Sequence, residues 1–280
     1  MILIIESGAT KSRWMIVDKF GKTVSDTLLQ GMNISTQEVA LIEPIIRGAA
    51  YSMDVKLVEE VYLYTAGVPS EVSSIQLKHI FSELFPQLKS FNIESDMLAA
   101  CRAVCGHKEG FVAILGTGSN FCHYDGEKID RRVNSGGYIL GDEGSAARLG
   151  ILFLSDHIKG LVPEDIESEF AKRFDASYSG IVAKLYSYGG SPSAYLGSLA
   201  PFIMEHYEHP YIKELVDSNF RSFFRRCVKT LGCQLPIGVV GGFGCACKDM
   251  IKTIAAEEGV KISCFIPSPA VMLPTFHCGE

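Results

Sequence analysis

A meander of short strands occurs twice in this sequence, and this repetition constrains the fold more than any other feature. Tight turns between alternating apolar and polar residues predict three antiparallel strands in each meander. Predicted helices follow both meanders, which indicates an α/β protein with mixed sheets that arose by duplication. The predicted strands are Ile2–Glu6, Arg13–Asp18 and Thr23–Leu29 in the first meander, and Phe111–Leu115, Asn120–Tyr124 and Lys128–Val133 in the second.

The length of 280 residues is sufficient for two domains of ordinary size. We predict an N-terminal domain at residues 1–105 and a C-terminal domain at residues 106–280. The second domain would carry a helical insertion at about residues 145–235, before a buried strand at Ile237–Val240. We expect the tail that follows Pro267 to pack back on the first domain.

Charge and hydropathy exclude two classes of partner. The net charge of −6 arises from 26 basic and 32 acidic residues, and no basic stripe is present that could bind nucleic acid. No apolar run reaches the roughly 18 residues that a membrane-spanning helix needs. The apolar start Met1–Ile5 lacks a basic leader and is interrupted by Glu6, so it predicts a strand and not a signal peptide.

The nine cysteines fit the same interpretation. Neither the pair Cys101 and Cys105 nor the pair Cys245 and Cys247 has zinc-finger or redox spacing. In a chain of this size without an export signal, we expect reduced, mostly buried thiols and a cytoplasmic location. The seven histidines show no metal-binding spacing either.

Glycine-centred turns follow four predicted strands. Without Cβ atoms, a backbone can approach phosphates closely and direct its N–H groups at them. One such turn alone is more often a plain connection. Here each half of the chain has a glycine hairpin, and a late glycine turn precedes a helix, which predicts a nucleotide-binding cleft. The turns are Glu6–Lys11, Gly116–Asn120, Gly136–Ser145 and Gly241–Gly244.

In these turns the chain resembles the N-acetylglucosamine kinase-like members of the BadF/BadG/BcrA/BcrD-type ATPases, within the actin-like ATPase, sugar kinase and heat-shock ATPase superfamily. The resemblance runs from Ile4 to about Leu149 and resumes at Val239–Gly244. It implies two ribonuclease H-like domains, each with a mixed sheet flanked by helices, around a central cleft. It also implies phosphoryl transfer from ATP, with Mg²⁺, to an amino sugar, first of all to the 6-hydroxyl of N-acetylglucosamine.

The resemblance assigns the nucleotide contacts to three of the turns. Glu6 would help to place the magnesium ion through water. The remaining contacts to ATP would come from Gly8, Thr10, Lys11, Gly116, Thr117, Gly118, Gly241, Gly242 and Gly244.

Asp96 is the predicted catalytic base, because the family places an aspartate at the equivalent strand-to-helix junction. Taken alone, an aspartate at this point could simply cap the helix. The sugar would also contact Asn33, Gly137, Tyr138 and Asp142. A carboxylate and an amide suit the hydroxyl and acetamido groups of such a sugar.

Several alternatives stay open at this point. An activator ATPase for a dehydratase or reductase would need a cysteine just before the second glycine turn, where this chain has Phe111–Leu115. A non-catalytic nucleotide-binding regulator would keep the fold without turnover. Ile139 replaces a glycine of the kinase pattern, which leaves glucosamine, glucose, N-acetylmannosamine and muramic-acid derivatives as other acceptors. The sequence also leaves a homodimer open, and it predicts only a charge patch at Arg225–Arg226.

Overall fold

The structure, a computed structural model, describes residues 1–8, 11–32, 34, 37–67, 69–186 and 191–279. The chain divides into two units. The first unit comprises Met1–Lys108, Gly126–Lys128 and Ser268–Glu280, and the second comprises Glu109–Asp125 and Ile129–Pro267. Each unit contains one mixed five-stranded sheet. The predicted α/β class with two mixed sheets is confirmed.

In the first unit the strand order is β3-β2-β1-β4-β5. Strands β1 to β3 form the antiparallel meander, and β4 and β5 continue the sheet in parallel with β1. The strands are β1 (Ile2–Ser7), β2 (Lys11–Val17), β3 (Thr23–Gln30), β4 (Glu60–Thr65) and β5 (Ser90–Ser95). The helices are α1 (Val39–Ser52), α2 (Glu71–Leu84), α3 (Asp96–Cys105) and α13 (Leu273–Cys278), with a 3₁₀ turn at Pro269–Val271.

Both faces of this sheet are buried, as the apolar residues of β1 dictate. Leu3 and Ile5 point to one face and pack, with Trp14, against the apolar sides of α1 and α2. Ile4 points to the other face, which is covered by α3 and by the C-terminal segment that begins at Ser268. The end of the chain therefore completes the core of the first unit.

In the second unit the strand order is β10-β9-β6-β7-β8. The strands are β6 (Gly110–Leu115), β7 (Ser119–Tyr124), β8 (Ile129–Arg132), β9 (Ile237–Val240) and β10 (Ile262–Ile266). The helices that lie between β8 and β9 are α4 (Gly137–Leu140), α5 (Ala146–Ile158), α6 (Glu164–Arg173), α7 (Tyr178–Tyr186), α8 (Pro192–Ser198), α9 (Ala200–Glu205) and α10 (Pro210–Phe223). A π-helical turn, Phe224–Val228, and a 3₁₀ turn, Lys229–Leu231, follow α10, while α11 (Gly242–Ala246) and α12 (Lys248–Glu257) lie between β9 and β10.

An aromatic cluster joins the helices α5, α6 and α9 to one another. Phe153, Phe170 and Phe202 are almost fully buried and meet edge to face or at a tilt, with ring centroids 5.0 to 5.8 Å apart. Such arrangements are favourable for aromatic pairs. Across the described part of the chain, no helix is long and apolar enough to cross a membrane.

Candidate functional site

Glu6 lies near the carboxyl end of β1 and is partly buried. One of its carboxylate oxygens, Oε2, accepts a hydrogen bond of 2.6 Å from the Ser268 hydroxyl and one of 3.0 Å from the Ala270 N–H. Sequence reasoning missed both donors. They lie more than 260 positions along the chain, and no local pattern at Ser268 points to Glu6.

β1 and β2 pair as antiparallel neighbours. The Gly8 N–H donates to the Lys11 carbonyl over 3.0 Å, and Lys11 begins β2 with an exposed side chain. Thr10 and Asn33, which the sequence assigns to the phosphates and to the sugar, lie outside the described residues.

The segment just before position 33 is fixed to the end of β1. The Ser7 hydroxyl donates to the Met32 carbonyl over 3.0 Å and accepts from the Met32 N–H over 2.8 Å. Ser7 and Met32 are both buried.

Asp96 begins α3 at the point where β5 ends, as predicted. The helix cap is not Asp96 but Ser95, whose hydroxyl accepts from the Leu98 N–H. The Asp96 carboxylate instead accepts from the Met97 N–H over 2.7 Å. Burial raises the pKa of Asp96 to about 6, the Met97 hydrogen bond opposes this, and the charge of nearby Glu6 adds to it. The structure therefore brings the predicted metal residue and the predicted base together in the first unit.

These two carboxylates suit a magnesium ion. Mg²⁺ prefers oxygen ligands, and it commonly uses one or two carboxylates together with waters and phosphate oxygens. Glu6 and Asp96 repel each other electrostatically, and a divalent cation would relieve that repulsion. Among the described residues, no group of three or more His, Cys, Asp or Glu side chains could hold a metal ion.

In the second unit, the turn between β6 and β7 exposes backbone donors. The Gly116 N–H closes the turn onto the Gly118 carbonyl over 3.0 Å, while the carbonyls of Gly116 and Thr117 accept from the Ala146 and Ala147 amides at the start of α5. In the part of the chain that the structure describes, the amides of Thr117 and Gly118 have no acceptor. Two adjacent amides of this kind can bind a phosphate oxygen.

The Gly241–Gly244 turn lies directly beside this hairpin. At Gly241, φ is +123°, and a Cβ atom there would lie 2.4 Å from the Leu115 carbonyl oxygen. A Cβ atom on Gly244 would lie 2.7 Å from Val239 Cγ1, whereas one on Gly242 would meet nothing within 4 Å. The structure therefore brings the predicted phosphate and adenosine turns together.

Asp142 also joins this region. Its carboxylate accepts from the Ser119 N–H and from the Ser135 hydroxyl, each over 3.2 Å. A Cβ atom on Gly118 would lie 3.0 Å from Asp142 Oδ2, and the backbone of Asp142 itself has a φ of +56°. Burial raises the pKa of Asp142, the two hydrogen bonds oppose this, and the charge of Glu143 adds to it. Asp142 thus supports the shape of the phosphate turn.

A polar cavity of about 180 Å³ opens beside Asp142. Its lining includes Asn120, Glu143 and Arg226, and Arg226 Nε lies 2.8 Å from a carboxylate oxygen of Glu143. Arg226 therefore forms an ion pair at the cavity, where the sequence predicts only a charge patch. Its neighbour Arg225 forms an ion pair with Glu258, as expected of a charge in such a patch. No local pattern could predict the contact between Arg226 and Glu143, because the two residues are 83 positions apart.

The structure separates Tyr138 from this cavity. Tyr138 lies on the short helix α4 and lines a different, mainly apolar groove of about 400 Å³ formed by α5, α7 and α8. Gly137 precedes it with a φ of +60°. Gly136 and Gly141 flank α4, and a Cβ atom on Gly141 would lie 2.8 Å from the Gly136 nitrogen. Of the predicted sugar residues in this loop, only Asp142 lines the polar cavity.

No protein-family model matches the sequence, and a search of curated proteins found no match. Solved structures do match it over its length. A candidate N-acetylglucosamine kinase from Porphyromonas gingivalis has a TM-score of 0.89 and 32% sequence identity, with 99% of each chain covered. A second candidate N-acetylglucosamine kinase, from Chromobacterium violaceum, has a TM-score of 0.77 at 17% identity, with 98% of each chain covered.

A glucokinase of the ROK family from Streptomyces griseus, solved with glucose and AMPPNP, has a TM-score of 0.57 at 15% identity, again with 98% of each chain covered. At such identities the second and third structures show the fold alone. The Porphyromonas gingivalis protein shows more, because its identity extends over nearly the whole of both chains. The chain belongs to the family of N-acetylglucosamine kinase-like sugar kinases with the actin-like ATPase fold.

Proposed function

We propose that this sugar kinase transfers the γ-phosphoryl group of ATP to an amino sugar, with N-acetylglucosamine as the acceptor and its 6-hydroxyl as the nucleophile. One observation carries the proposal. Asp96, a partly buried carboxylate at a strand-to-helix junction, lies within electrostatic reach of Glu6. Such a transfer needs two side chains: one that accepts the proton of the attacking hydroxyl, and an acidic one that holds the metal ion.

In the proposed reaction, Asp96 accepts the proton of the sugar hydroxyl as its oxygen bonds to the γ-phosphorus. The bond from that phosphorus to the β,γ-bridging oxygen breaks, and ADP leaves with the electron pair. A pKa of about 6 leaves Asp96 mostly ionised at neutral pH, yet close enough to the working pH to accept a proton well.

When bound, magnesium would neutralise charge on the β- and γ-phosphates. Glu6 would hold that ion through water, and Gly8, Thr10 and Lys11 would contact the same phosphates. In the second unit, the amides of the Gly116–Gly118 turn would donate to phosphate oxygens, and the Gly241–Gly244 turn would support the adenosine. The unoccupied donors at Thr117 and Gly118 support this role.

For the acceptor, we propose contacts from Asn33, Gly137, Tyr138 and Asp142, which requires Tyr138 to leave the apolar groove that it lines in this structure and to approach the cavity beside Asp142. The names given to the proteins from Porphyromonas gingivalis and Chromobacterium violaceum favour N-acetylglucosamine over unsubstituted glucose. The dependence on ATP fits a cytoplasmic enzyme. Ile139 is 69% exposed on α4 and differs from the glycine of the family pattern, so the loop that carries it is the place where acceptor choice would change.

A coupled ADP-release assay tests the proposal. ATP and magnesium are supplied with a panel of hexoses and N-acetylhexosamines, and the wild type is run beside Asp96→Ala. We expect turnover with N-acetylglucosamine that the variant lacks. ATP binding without any sugar-dependent turnover would refute the kinase proposal, and a stronger response to another hexose would correct the acceptor.

A further inference from the structure

A residue near the end of the chain fixes the orientation of Glu6. The Ser268 hydroxyl donates to Glu6 Oε2 over 2.6 Å, and the Ala270 N–H donates to the same oxygen over 3.0 Å. The Ala270 N–H also lies 3.2 Å from the Ser268 hydroxyl oxygen. Ser268 therefore caps the 3₁₀ turn at Pro269–Val271 and binds Glu6 at the same time.

Two donors on one oxygen restrict rotation of the Glu6 carboxylate. Hydrogen bonds to a charged acceptor are stronger than those between neutral groups, so this pair is effective in holding one rotamer. Among the described residues, no donor reaches the other oxygen, Oε1. The two hydrogen bonds to Oε2 thus leave Oε1 available to an external ligand.

The position of Ser268 is set by packing that does not involve Glu6. Ala270 and Leu273 are almost fully buried against the sheet of the first unit. Farther along the segment, the Tyr64 hydroxyl lies 2.7 Å from His277 Nε2 and accepts from Arg102 Nη1 over 2.7 Å. Because these contacts anchor the segment on their own, Ser268 is a preorganised donor and Glu6 is the group that it positions.

We propose that Ser268 is a positioning residue for Glu6, the residue that would hold magnesium. Ser268 keeps Glu6 with Oε1 directed toward the hydrated magnesium ion. The proposal rests on the role of Glu6 in the proposed function. Loss of the Ser268 hydroxyl would free the carboxylate to rotate, and magnesium-dependent nucleotide binding would weaken. Nucleotide binding without metal would not change.

The test compares Ser268→Ala, Ser268→Thr and the matched control Thr275→Ala. Thr275 lies on α13 in the same segment, and its side chain is exposed. Calorimetric titration measures ADP binding with and without magnesium for each variant. We expect Ser268→Ala to weaken magnesium-dependent binding about tenfold, as loss of one hydrogen bond to a charged group would. Ser268→Thr keeps the hydroxyl and should stay within about twofold of the wild type.

A double variant with Glu6→Gln shows whether Ser268 acts through Glu6. If it does, Ser268→Ala has little further effect in the Glu6→Gln background. Equal losses in both backgrounds would overturn the proposal, as would a lower melting temperature with unchanged magnesium dependence. Should Ser268→Ala not fold, Ser268→Cys keeps the size of the side chain with a weaker donor, and it should give a smaller loss in the same direction.

These titrations do not require turnover. A wild type that binds ADP with magnesium but phosphorylates no sugar would refute the proposed function, while the comparison of Ser268 variants would still decide the role of Ser268. Where turnover is present, Ser268→Ala should lower kcat and raise the magnesium concentration needed for half-maximal rate, with the KM for sugar unchanged. A change in the sugar KM alone would contradict the proposal.

Discussion

The two sheets of this protein have one topology and different chemistry. In both, three antiparallel strands are followed by two strands parallel to the first, and β6-β7-β8-β9-β10 take the places of β1-β2-β3-β4-β5. In the first unit, two carboxylates lie at the ends of strands. Glu6 is near the end of β1, and Asp96 comes just after β5. At the equivalent points of the second unit, β6 ends before Gly116 and β10 before Pro267.

A duplicated framework can divide the requirements of one reaction. In the proposed reaction, the first unit would supply carboxylates for a metal ion and for a proton. The second unit would supply backbone N–H groups for phosphate oxygens and a closely packed glycine turn for the adenosine. If this division is correct, changes of charge should matter most in the first unit, and changes of backbone shape should matter most in the second.

The largest expected effect is on Asp96 in the first unit. Asp96→Asn should lower kcat about 10³-fold, within the usual contribution of a general base. The same change should raise the free energy of unfolding near pH 7 by roughly 1–2 kcal/mol, because it removes a buried charge whose pKa is raised while it keeps an acceptor for the Met97 N–H. ADP-release kinetics and thermal unfolding measure the two effects.

The control for that experiment is Asp54→Asn, at an exposed aspartate of the same unit. It should change neither quantity appreciably. Retention of more than a tenth of the turnover in Asp96→Asn would show that Asp96 is not the base.

The next effect concerns backbone shape in the second unit. Gly241→Ala forces a Cβ atom to within 2.4 Å of the Leu115 carbonyl at a φ of +123°, so the adenosine turn must move. We expect ATP binding to weaken about tenfold or more, at a strain of roughly 1–3 kcal/mol. Titration with ATP measures the change in affinity. The control is Gly48→Ala in α1, where a Cβ atom would meet nothing within 4 Å. Unchanged ATP binding would show that this turn does not contact the nucleotide.

A smaller effect follows from the pKa of Asp96. The base must be ionised, and its pKa in the folded protein is about 6. The value of kcat/KM should therefore be nearly constant above pH 7 and fall by about tenfold per unit well below pH 6. A profile that stays flat down to pH 5 would contradict this assignment.

The last effect concerns stability alone, in the C-terminal segment of the first unit, and leaves the proposed reaction untouched. Burial, with a further contribution from the charge of Arg102, lowers the pKa of His277 from 6.5 to about 4. The unfolded chain thus binds a proton more readily than the folded one between pH 6.5 and 4, and stability is lost as the pH falls through that range. The free energy of unfolding should fall by roughly 3 kcal/mol at most over this pH range.

His277→Gln keeps an acceptor for the Tyr64 hydroxyl and removes the titration. Denaturant unfolding at several pH values should therefore show a flatter profile for this variant than for the wild type. Identical profiles would show that His277 does not contribute to the acid sensitivity of the first unit.

Local patterns predicted most of the framework and part of the site. The alternation in the two meanders and the glycines after strands depend on neighbouring residues, so the sheets, the hairpin at Gly116 and the junction at Asp96 could be predicted. Contacts between distant positions left no local signal. The bonds from Ser268 to Glu6 and from Arg226 to Glu143 form only after the chain has folded. The cap of α3 is Ser95, one residue before the aspartate that could have been the cap from sequence alone.

The C-terminal segment of the first unit has a consequence for the order of synthesis. Ribosomes make residues 268–278 after the whole of the second unit, yet these residues cover one face of the first sheet and hold Glu6. Domains generally fold in sequence as they emerge, but here the first unit must wait for the segment made after its neighbour. We therefore expect a nascent chain to bind magnesium nucleotide poorly until residues 268–270 have left the ribosome and reached Glu6.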